Sequence, residues 1–451
     1  MAARKVVILD GCGEHDQEFA PVLDTLSNVL ERHEAEIETF HLRQMKLAHC
    51  IGCFGCWIKT PGMCVEDDAG RQIARAVIRS DATVFFTPVT FGGYSPEFKK
   101  MMDHFVQLIS PYFQMVHGEM HHPPRYAHRP RLMMVGVQRQ ARPYEALIFR
   151  MLAGRNAINI HPPSYAAEVV QAGDCAESLR ERFESMLERS DAQPFGEVAA
   201  VLAPAPAAPA GPTGANMPKR ALLIVGSPKT SGPVTSRVLG NHLLDRLRGH
   251  GWETETLTLR ASLNREEGQA ELLGSLARAG LVLFVFPLYA DALPYLATKA
   301  LAVVAAARRK SPMPPQRWMA LVNSGFPETH QNAVALAICR EFAEQSGVSW
   351  AGGLALGGGG IVGAEPLNAA PRHGPPVGHV VRALDLTAAA LAEGRPVPAE
   401  ATRLMAKNPI PIVPFALWRR IYAHFGGKGF EQEAARNAVG KDRLLDQPYA
   451  A

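Results

Sequence analysis

Short, continuous apolar runs alternate along this chain with stretches that have the periodicity of an α-helix. Five runs lie in the first half and five in the second: 6–9, 36–41, 83–86, 132–137 and 165–170, then 221–225, 254–258, 281–286, 318–322 and 353–356. A strand that is apolar along its whole length is buried on both faces, and the intervening helices cover those faces in a parallel sheet. The pattern therefore predicts an α/β chain with two parallel sheets of five strands each.

The segment between the two halves has a different composition. Residues 194–217 are dominated by alanine and proline, which is typical of a semi-extended linker. After it, Met217-Pro-Lys-Arg and the apolar run 221–225 repeat the pattern of the N-terminus. We therefore predict a first domain over 1–193, a linker over 194–217, a second domain over 218–398 and a helical tail over 399–451.

The two halves share a further pattern after the third apolar run of each. Lys100 follows Pro88 by twelve residues, and Lys299 follows Pro287 by the same interval. Five strands per half fit a doubly wound, flavodoxin-like fold, in which ligands bind beyond the carboxyl ends of the strands. We therefore predict two tandem flavodoxin-like, doubly wound parallel five-stranded sheets with a helical C-terminal extension. The loops that leave the strands are the places to look for chemistry.

Composition excludes several classes of protein. The chain of 451 residues is 47% hydrophobic and 20% charged, so it can bury cores and is not a disordered chain. No apolar run approaches the roughly eighteen residues of a membrane span, and the first run is too short for a signal peptide. We therefore expect a cytoplasmic protein without a membrane span. The modest net charge of +4 argues against a nucleic-acid partner.

The loop after the first run of the second half suits a phosphate group. Residues 226–236 combine hydroxyls, a lysine and glycines before a predicted helix, whose N–H groups and dipole attract an anion. The alternative is an ordinary Ser/Thr N-cap after a turn. The candidate phosphate ligands are Ser227, Lys229, Thr230, Ser231, Thr235 and Ser236.

The corresponding loop of the first half is acidic. Residues 10–18 carry four carboxylates and no lysine or arginine, so they would repel a phosphate dianion. Either the first half has lost its phosphate site or backbone donors outweigh the repulsion, and we favour the loss.

A second type of loop follows the third run of each half. A proline, small residues and aromatic residues stand there, and backbone N–H groups in such a turn can hydrogen-bond the edge of a flavin ring. The alternative is a plain turn with an aromatic residue in the core. The candidates are Pro88, Val89, Thr90, Phe91, Gly92, Gly93 and Tyr94 in the first half, and Pro287, Leu288, Tyr289, Ala290 and Asp291 in the second.

Four cysteines are grouped in the first half, namely Cys50, Cys53, Cys56 and Cys64. Three thiols at this spacing, with a fourth after a short loop, suit a [4Fe–4S] cluster better than zinc, whose sites usually pair two separated Cys-x2-Cys motifs. Redox-active or simply packed thiols without a metal are the other interpretation. Between the end of its first apolar run and the proline after its third run, the first half is about seventeen residues longer than the second half. The cysteine stretch lies in that interval, so it is predicted to be an insertion.

Four histidines, His117, His121, His122 and His128, lie in a proline-rich segment before the fourth run. An exposed polar loop is the favoured interpretation. The alternative is that they line a substrate pocket or donate a proton near neutral pH.

The cysteine stretch, followed by Glu66-Asp-Asp and by 86–103 with its Pro-Val-Thr-Phe-Gly-Gly-Tyr sequence, resembles the NADPH-dependent FMN reductase and iron–sulfur flavoprotein families. The resemblance covers about 5–110 well and 219–340 moderately. It implies a flavodoxin-like fold, bound FMN and a multimeric state, with Pro88 to Tyr94 facing the isoalloxazine. In the iron–sulfur branch the four cysteines would hold the cluster. The acidic loop 10–18 departs from the family pattern, which makes the loop 227–236 the better phosphate site.

The resemblance predicts an FMN-dependent oxidoreductase that uses NAD(P)H as co-substrate. The acceptor would be a quinone, a flavin, a nitro-compound or a protein redox partner, reached with or without a [4Fe–4S] cluster. Hydride transfer to a flavin depends on ring stacking more than on an acid–base side chain, so we assign no catalytic residue. The alternatives are a non-enzymatic electron carrier and a redox sensor based on the cysteine loop. We expect a homo-oligomer.

Overall fold

The computed structural model describes residues 4–192, 217–230, 232, 234–367, 369, 376–408 and 413–450. The chain forms two compact units. The first unit comprises Met1–Ala199 and Tyr422–Ala451, and the second comprises Ala200–Ile421. Of the predicted linker, residues 194–216 lie outside the described residues, as does Ser231. The residues predicted to form one tail, 399–451, fall into both units.

The first unit contains a parallel five-stranded sheet with the order β2-β1-β3-β6-β7. Its strands are β1 (Arg4–Asp10), β2 (Ala35–His41), β3 (Ala82–Pro88), β6 (Arg131–Gln138) and β7 (Tyr165–Gln171), and a small hairpin adds β4 (Gln114–Val116) and β5 (Glu119–His121). Its helices are α1 (Ala20–Arg32), α2 (Gly55–Ile58), α3 (Ala69–Arg79), α4 (Pro96–Met102), α5 (Pro143–Ile160) and α6 (Ala176–Ala192). This strand order is that of the flavodoxin-like fold.

The second unit repeats this topology, with the sheet order β12-β11-β10-β8-β9. Its strands are β8 (Arg220–Val225), β9 (Glu253–Thr258), β10 (Leu281–Pro287), β11 (Arg317–Asn323) and β12 (Ser349–Leu356). Its helices are α7 (Thr235–Gly249), α8 (Glu266–Arg278), α9 (Tyr295–Lys310), α10 (Ala333–Gln345), α11 (Gly378–Ala392) and α12 (Ala399–Met405); α13 (Phe415–Arg436) begins in this unit and continues into the first. The predicted fold class, with its helical C-terminal region, is confirmed.

The central strands explain why the apolar runs located the sheets. Every residue of β3 is buried, as are all residues of β10 except its last, whereas in the edge strand β2 only Phe40 is buried. Beneath the first sheet, α1 contributes Val22 and Leu26, and Phe19 just before it is also buried, in a core that includes Ile8 and Val84. Side chains buried on both faces of the central strands thus fix the layers that position the loops.

The histidine segment matches the favoured expectation of an exposed loop only in part, because His117 and His128 are exposed but His121 and His122 are not. The antiparallel hairpin of β4 and β5 lies in it, with Met115 opposite Met120. His121 is fully buried, and its Nδ1 lies 2.8 Å from the Asn159 Oδ1 of α5. His122 is enclosed by the rings of Trp57 and Phe113.

Within the described residues, no helix combines the length and the apolar character that crossing a membrane requires.

Candidate functional site

The loop after β8 in the second unit lies where the fold places ligands. Gly226 begins it, and a Cβ there would stand 2.8 Å from the Cβ of Phe286, so only glycine fits without a shift. Ser227 is buried, Lys229 is half-buried and Thr230 is exposed. Helix α7 begins at Thr235, and the first N–H groups of a helix have no partner inside it. The loop therefore offers an ammonium group, a hydroxyl and a helix N-terminus on one surface.

Two hydroxyls of the predicted phosphate set hold the first turn of α7 to the end of β11 and to the turn after β12. Ser236 is 1% exposed, and its hydroxyl donates to the Asn323 Oδ1 at 2.8 Å. The Thr235 hydroxyl donates to the carbonyl of Gly359 at 3.4 Å. The structure thus places the Ser236 side chain behind the loop surface. Asn323 was not among the predicted residues.

The second candidate loop of this unit leaves β10, which pairs directly with β8. Tyr289 and Ala292 exchange two backbone hydrogen bonds, of 3.0 and 3.1 Å, across a tight turn. The turn places Ala290 and Asp291 at φ values of 47° and 58°. Residues 287–290 are half-buried, and only Asp291 is fully buried. Because β8 and β10 are neighbours, Lys229 and Thr230 lie at the same carboxyl edge of the sheet as this turn, and both they and residues 287–290 are at least partly exposed.

The first unit has the same turn after β3 but buries its aromatic side chains. Thr90 and Gly93 exchange two backbone hydrogen bonds of 2.9 Å, and Phe91 and Gly92 have φ values of 56° and 85°. Phe91 is 6% exposed and Tyr94 is 1% exposed.

Residues of helix α5 pack over Tyr94 and shield it from solvent. The Tyr94 hydroxyl donates to the Asn156 Oδ1 at 2.6 Å, and the Tyr94 ring packs edge-on against Phe149. The predicted ring-facing residues Phe91 and Tyr94 thus belong to the core of the first unit, whereas Val89 and Thr90 are half-buried.

The loop after β1 corresponds to the loop after β8. Gly11 donates its N–H to the carbonyl of Phe86, as Gly226 does to that of Val285, both at 2.8 Å. In the first unit, however, the loop amides already hold carboxylates. The Asp10 Oδ1 accepts the N–H of Cys12 at 2.9 Å. The Asp16 Oδ2 accepts the N–H of Gly13 at 2.6 Å.

Arg139 completes this arrangement from the end of β6. Its guanidinium donates to the Asp16 Oδ1 at 2.6 Å and to the Glu18 Oε1 at 2.7 Å. Backbone N–H groups and an arginine are the donors that bind a phosphate, and here a carboxylate of the same loop occupies them. The first unit therefore fills its own anion position.

The four cysteines carry free thiols; Cys56 lies in α2, and Cys50, Cys53 and Cys64 lie in the loops on either side of it. Cys53 is exposed, Cys56 is buried, and Cys50 and Cys64 are half-buried. Burial of the thiol, followed by the neighbouring Asp103 carboxylate, raises the pKa of Cys50 to about 12, and burial also raises the pKa values of Cys56 and Cys64. These three thiols are therefore protonated near neutral pH in this arrangement.

The donor set is chemically suited to a [4Fe–4S] cluster, but its arrangement is not. Across the part of the chain that the structure describes, no three His, Cys, Asp or Glu side chains come together in a way that could hold a metal ion. We therefore derive no reaction step through a cluster.

The cysteine loop is held by buried hydrogen bonds to the segment after α4 and by the C-terminal segment. The Trp57 Nε1 donates to the carbonyls of Val106 and Ile109 at 2.9 and 3.0 Å. The Gln107 Oε1 accepts both the N–H of Cys64 at 3.0 Å and the hydroxyl of Tyr449 at 2.9 Å. Ala434, Val439 and Leu444 complete the apolar cluster around Trp57.

Comparison with known proteins supports the predicted resemblance. Residues 4–169 match the family described as NADPH-dependent FMN reductase, so the resemblance of this part of the chain is confirmed. A stretch of 82 residues is 32% identical to an iron–sulfur flavoprotein of Archaeoglobus fulgidus, covering 18% of this chain and 36% of that protein. A stretch of 99 residues is 28% identical to the iron–sulfur flavoprotein MJ1083 of Methanocaldococcus jannaschii, covering 22% of this chain and 50% of that protein.

The chain thus spans between about a third and a half of the length of these curated relatives. Among solved structures, an NAD(P)H:quinone oxidoreductase from Methanothermobacter marburgensis aligns with a TM-score of 0.33 and 16% identity, over 41% of this chain and 97% of that chain.

Proposed function

We propose that this chain is an FMN-dependent NAD(P)H oxidoreductase whose flavin site lies in the second unit. The observation that carries the proposal is the contrast between the two repeats. The second unit leaves Lys229, Thr230 and residues 287–290 partly or fully exposed on neighbouring strands, whereas the first unit fills the equivalent loop with Asp16 and buries Phe91 at the position of Ala290. The family match of residues 4–169 supports flavin chemistry for the fold that the second unit repeats.

The residues of the second unit fit FMN in kind. The first-turn N–H groups of α7, the Lys229 ammonium and the Thr230 hydroxyl would hold the phosphate, because a helix N-terminus and a cation both stabilise an anion. The backbone of 287–290 would contact the ring, and its small side chain at Ala290 leaves room for close approach. When bound, the flavin would accept a hydride from NAD(P)H and pass electrons to an acceptor. The chain's own residues bind and orient the ring.

The electron acceptor, the [4Fe–4S] cluster and the oligomeric state can each be tested separately. A quinone, free flavin, nitro-compound or protein partner can each be offered as acceptor to the reduced protein. A [4Fe–4S] cluster would require the loop 50–64 to rearrange so that its thiols converge. Iron and sulfide measured on anaerobically purified protein test it, since the cluster requires about four irons per chain. Light scattering tests the expected homo-oligomer.

Matched charge reversals in the two repeats test the site. Because Gly11 corresponds to Gly226, Glu14 of the first unit corresponds to Lys229 of the second. Lys229→Glu should weaken FMN binding by about tenfold or more, because it removes a charge-assisted contact to the phosphate and adds a repulsion. Glu14→Lys should leave the affinity unchanged. FMN per chain and its dissociation constant are read from flavin fluorescence.

The outcomes separate the hypotheses. One FMN per chain, lost in Lys229→Glu alone, supports the proposed site. Binding that responds only to Glu14→Lys would place the flavin in the first unit and contradict it. Bound flavin without NAD(P)H oxidation with any acceptor would indicate an electron carrier instead of an enzyme.

A further inference from the structure

Asn323 lies between the two candidate loops of the second unit, at the last position of β11. Its Oδ1 accepts the Ser236 hydroxyl from the first turn of α7 at 2.8 Å. Its main-chain carbonyl accepts the N–H of Leu288, in the turn after β10, at 2.9 Å. The residue is 8% exposed, so both hydrogen bonds are shielded from water. One residue therefore connects the phosphate loop with the ring loop.

The turn after β12 closes the remaining side of Asn323. A Cβ at Gly359 would stand 3.2 Å from the Asn323 Nδ2, so the Gly359 backbone packs directly on the amide. Gly359 in turn accepts the Thr235 hydroxyl. The side-chain amide thus contacts α7 and the turn after β12, while the backbone carbonyl of the same residue contacts the turn after β10.

The first unit provides an internal comparison. Asn323 is paired with Pro287 in the register of β10 and β11, and Val137 is paired with Pro88 in the register of β3 and β6. The Val137 carbonyl accepts the N–H of Val89 at 2.9 Å, which matches the backbone bond of Asn323. A valine side chain cannot bond to a helix hydroxyl. The side-chain link from strand to helix is therefore specific to the unit with the accessible loops.

We propose that Asn323 is a positioning residue that fixes the first turn of α7 relative to the turn after β10. It holds Ser236 through its side chain and Leu288 through its backbone, so the two loops keep one relative placement before a ligand arrives. Preorganised donors lose less conformational freedom on binding, which increases affinity. As far as it concerns FMN, the inference rests on the function proposed above. As far as it concerns the placement of the two loops, it stands on the contacts alone.

Asn323→Val, which installs the residue of the first unit, tests the side-chain link. It leaves the buried Ser236 hydroxyl without its acceptor, so we expect FMN affinity to fall about tenfold. The affinity for riboflavin, which has no phosphate, should fall less, because the link acts through α7. Combining Asn323→Val with Ser236→Ala should cost no more than Asn323→Val alone, since both remove the same bond. Val137→Thr, at the equivalent position of the first unit, is the matched control and should leave FMN affinity unchanged.

Hydrogen exchange of the flavin-free chain supplies a readout that needs no cofactor. Asn323→Val should accelerate exchange in peptides covering 234–240 relative to the wild type, while peptides covering 287–292 should change less, because valine keeps the backbone carbonyl that accepts the Leu288 N–H. Unchanged exchange in 234–240 would overturn the proposal, and so would equal losses of FMN and riboflavin affinity. If the wild type binds no flavin but 234–240 responds, the flavin site fails and the positioning role of Asn323 stands. If the wild type binds FMN and 234–240 does not respond, the reverse holds.

Discussion

Acid should destabilise the first unit through His122. Its Nδ1 donates to the carbonyl of Tyr112 at 2.7 Å, and its ring centroid lies 4.6 Å from that of Trp57. Burial lowers the pKa of His122 to about 4; the hydrogen bond to Tyr112 opposes that shift, and the neighbouring His121 and His161 reinforce it. The folded chain therefore keeps this imidazole neutral where an unfolded chain would protonate it.

The size of the effect follows from the two pKa values. An unfolded histidine titrates near 6.5, so the unfolded state binds the additional proton between about pH 6.5 and 4. The stability due to neutral His122 is complete above that window and is lost as the pH falls through it. With a folded pKa of about 4, the loss between pH 7.5 and 5.0 is about 2 kcal/mol.

Asn at this position isolates that contribution, since its amide can still donate to the Tyr112 carbonyl but does not titrate. Urea unfolding at pH 7.5 and 5.0, followed by tryptophan fluorescence, gives the free energy of unfolding of both proteins. Burial also lowers the pKa of His49, which is present in both proteins, so its contribution cancels in the comparison. Burial lowers the pKa of His161 as well, and its hydrogen bond is to the backbone carbonyl of residue 122, which the substitution keeps. The wild type should lose about 2 kcal/mol more than His122→Asn. Equal losses in the two proteins would refute the reasoning.

Three further changes test other parts of the first unit. Asp16→Ser should free the amide of Gly13 and remove one of the two carboxylates that Arg139 holds, so that equilibrium dialysis detects a second FMN per chain; a ratio that stays at one would contradict the idea that Asp16 closes the anion position of the first unit. Asp103→Asn removes the carboxylate from the buried ion pair with Lys99 and should lower the free energy of unfolding by about 3–5 kcal/mol in urea. An unchanged urea midpoint would contradict this. Tyr449→Phe removes a hydrogen bond to Gln107 worth about 1 kcal/mol, so amides of 441–450 should exchange several-fold faster, and wild-type rates would count against the contact.

Sequence located the sheets because their central strands are buried on both faces. Residues 83–86 and 281–286 were predicted as strands, and the structure extends them only to Ala82–Pro88 and Leu281–Pro287. The sequence does not predict the hairpin of β4 and β5, because each strand has only three residues. Such short segments have too few positions to show a period.

The candidate site was predictable only in part. The loops could be found from their place after strands, but accessibility depends on distant residues. Asn156 and Phe149 bury Tyr94, and neither is close to it in sequence. Asn323 can link the two loops only because the register of β10 with β11 places it opposite Pro287. The sequence of one strand does not reveal its register with the next. Cysteine spacing likewise indicates which thiols are near one another along the chain, but not whether their sulfur atoms are placed to bind one cluster.

The first unit is assembled from two separated pieces of chain, and this has a consequence for biosynthesis. Trp57 packs against Ala434, Val439 and Leu444, which leave the ribosome only after residues 200–421 have been translated. At about 5–20 residues per second, that interval lasts roughly ten to forty seconds. Throughout it, the nascent first unit presents an uncovered aromatic surface beside four thiols. A stalled or truncated message would leave that surface permanently open to chaperones.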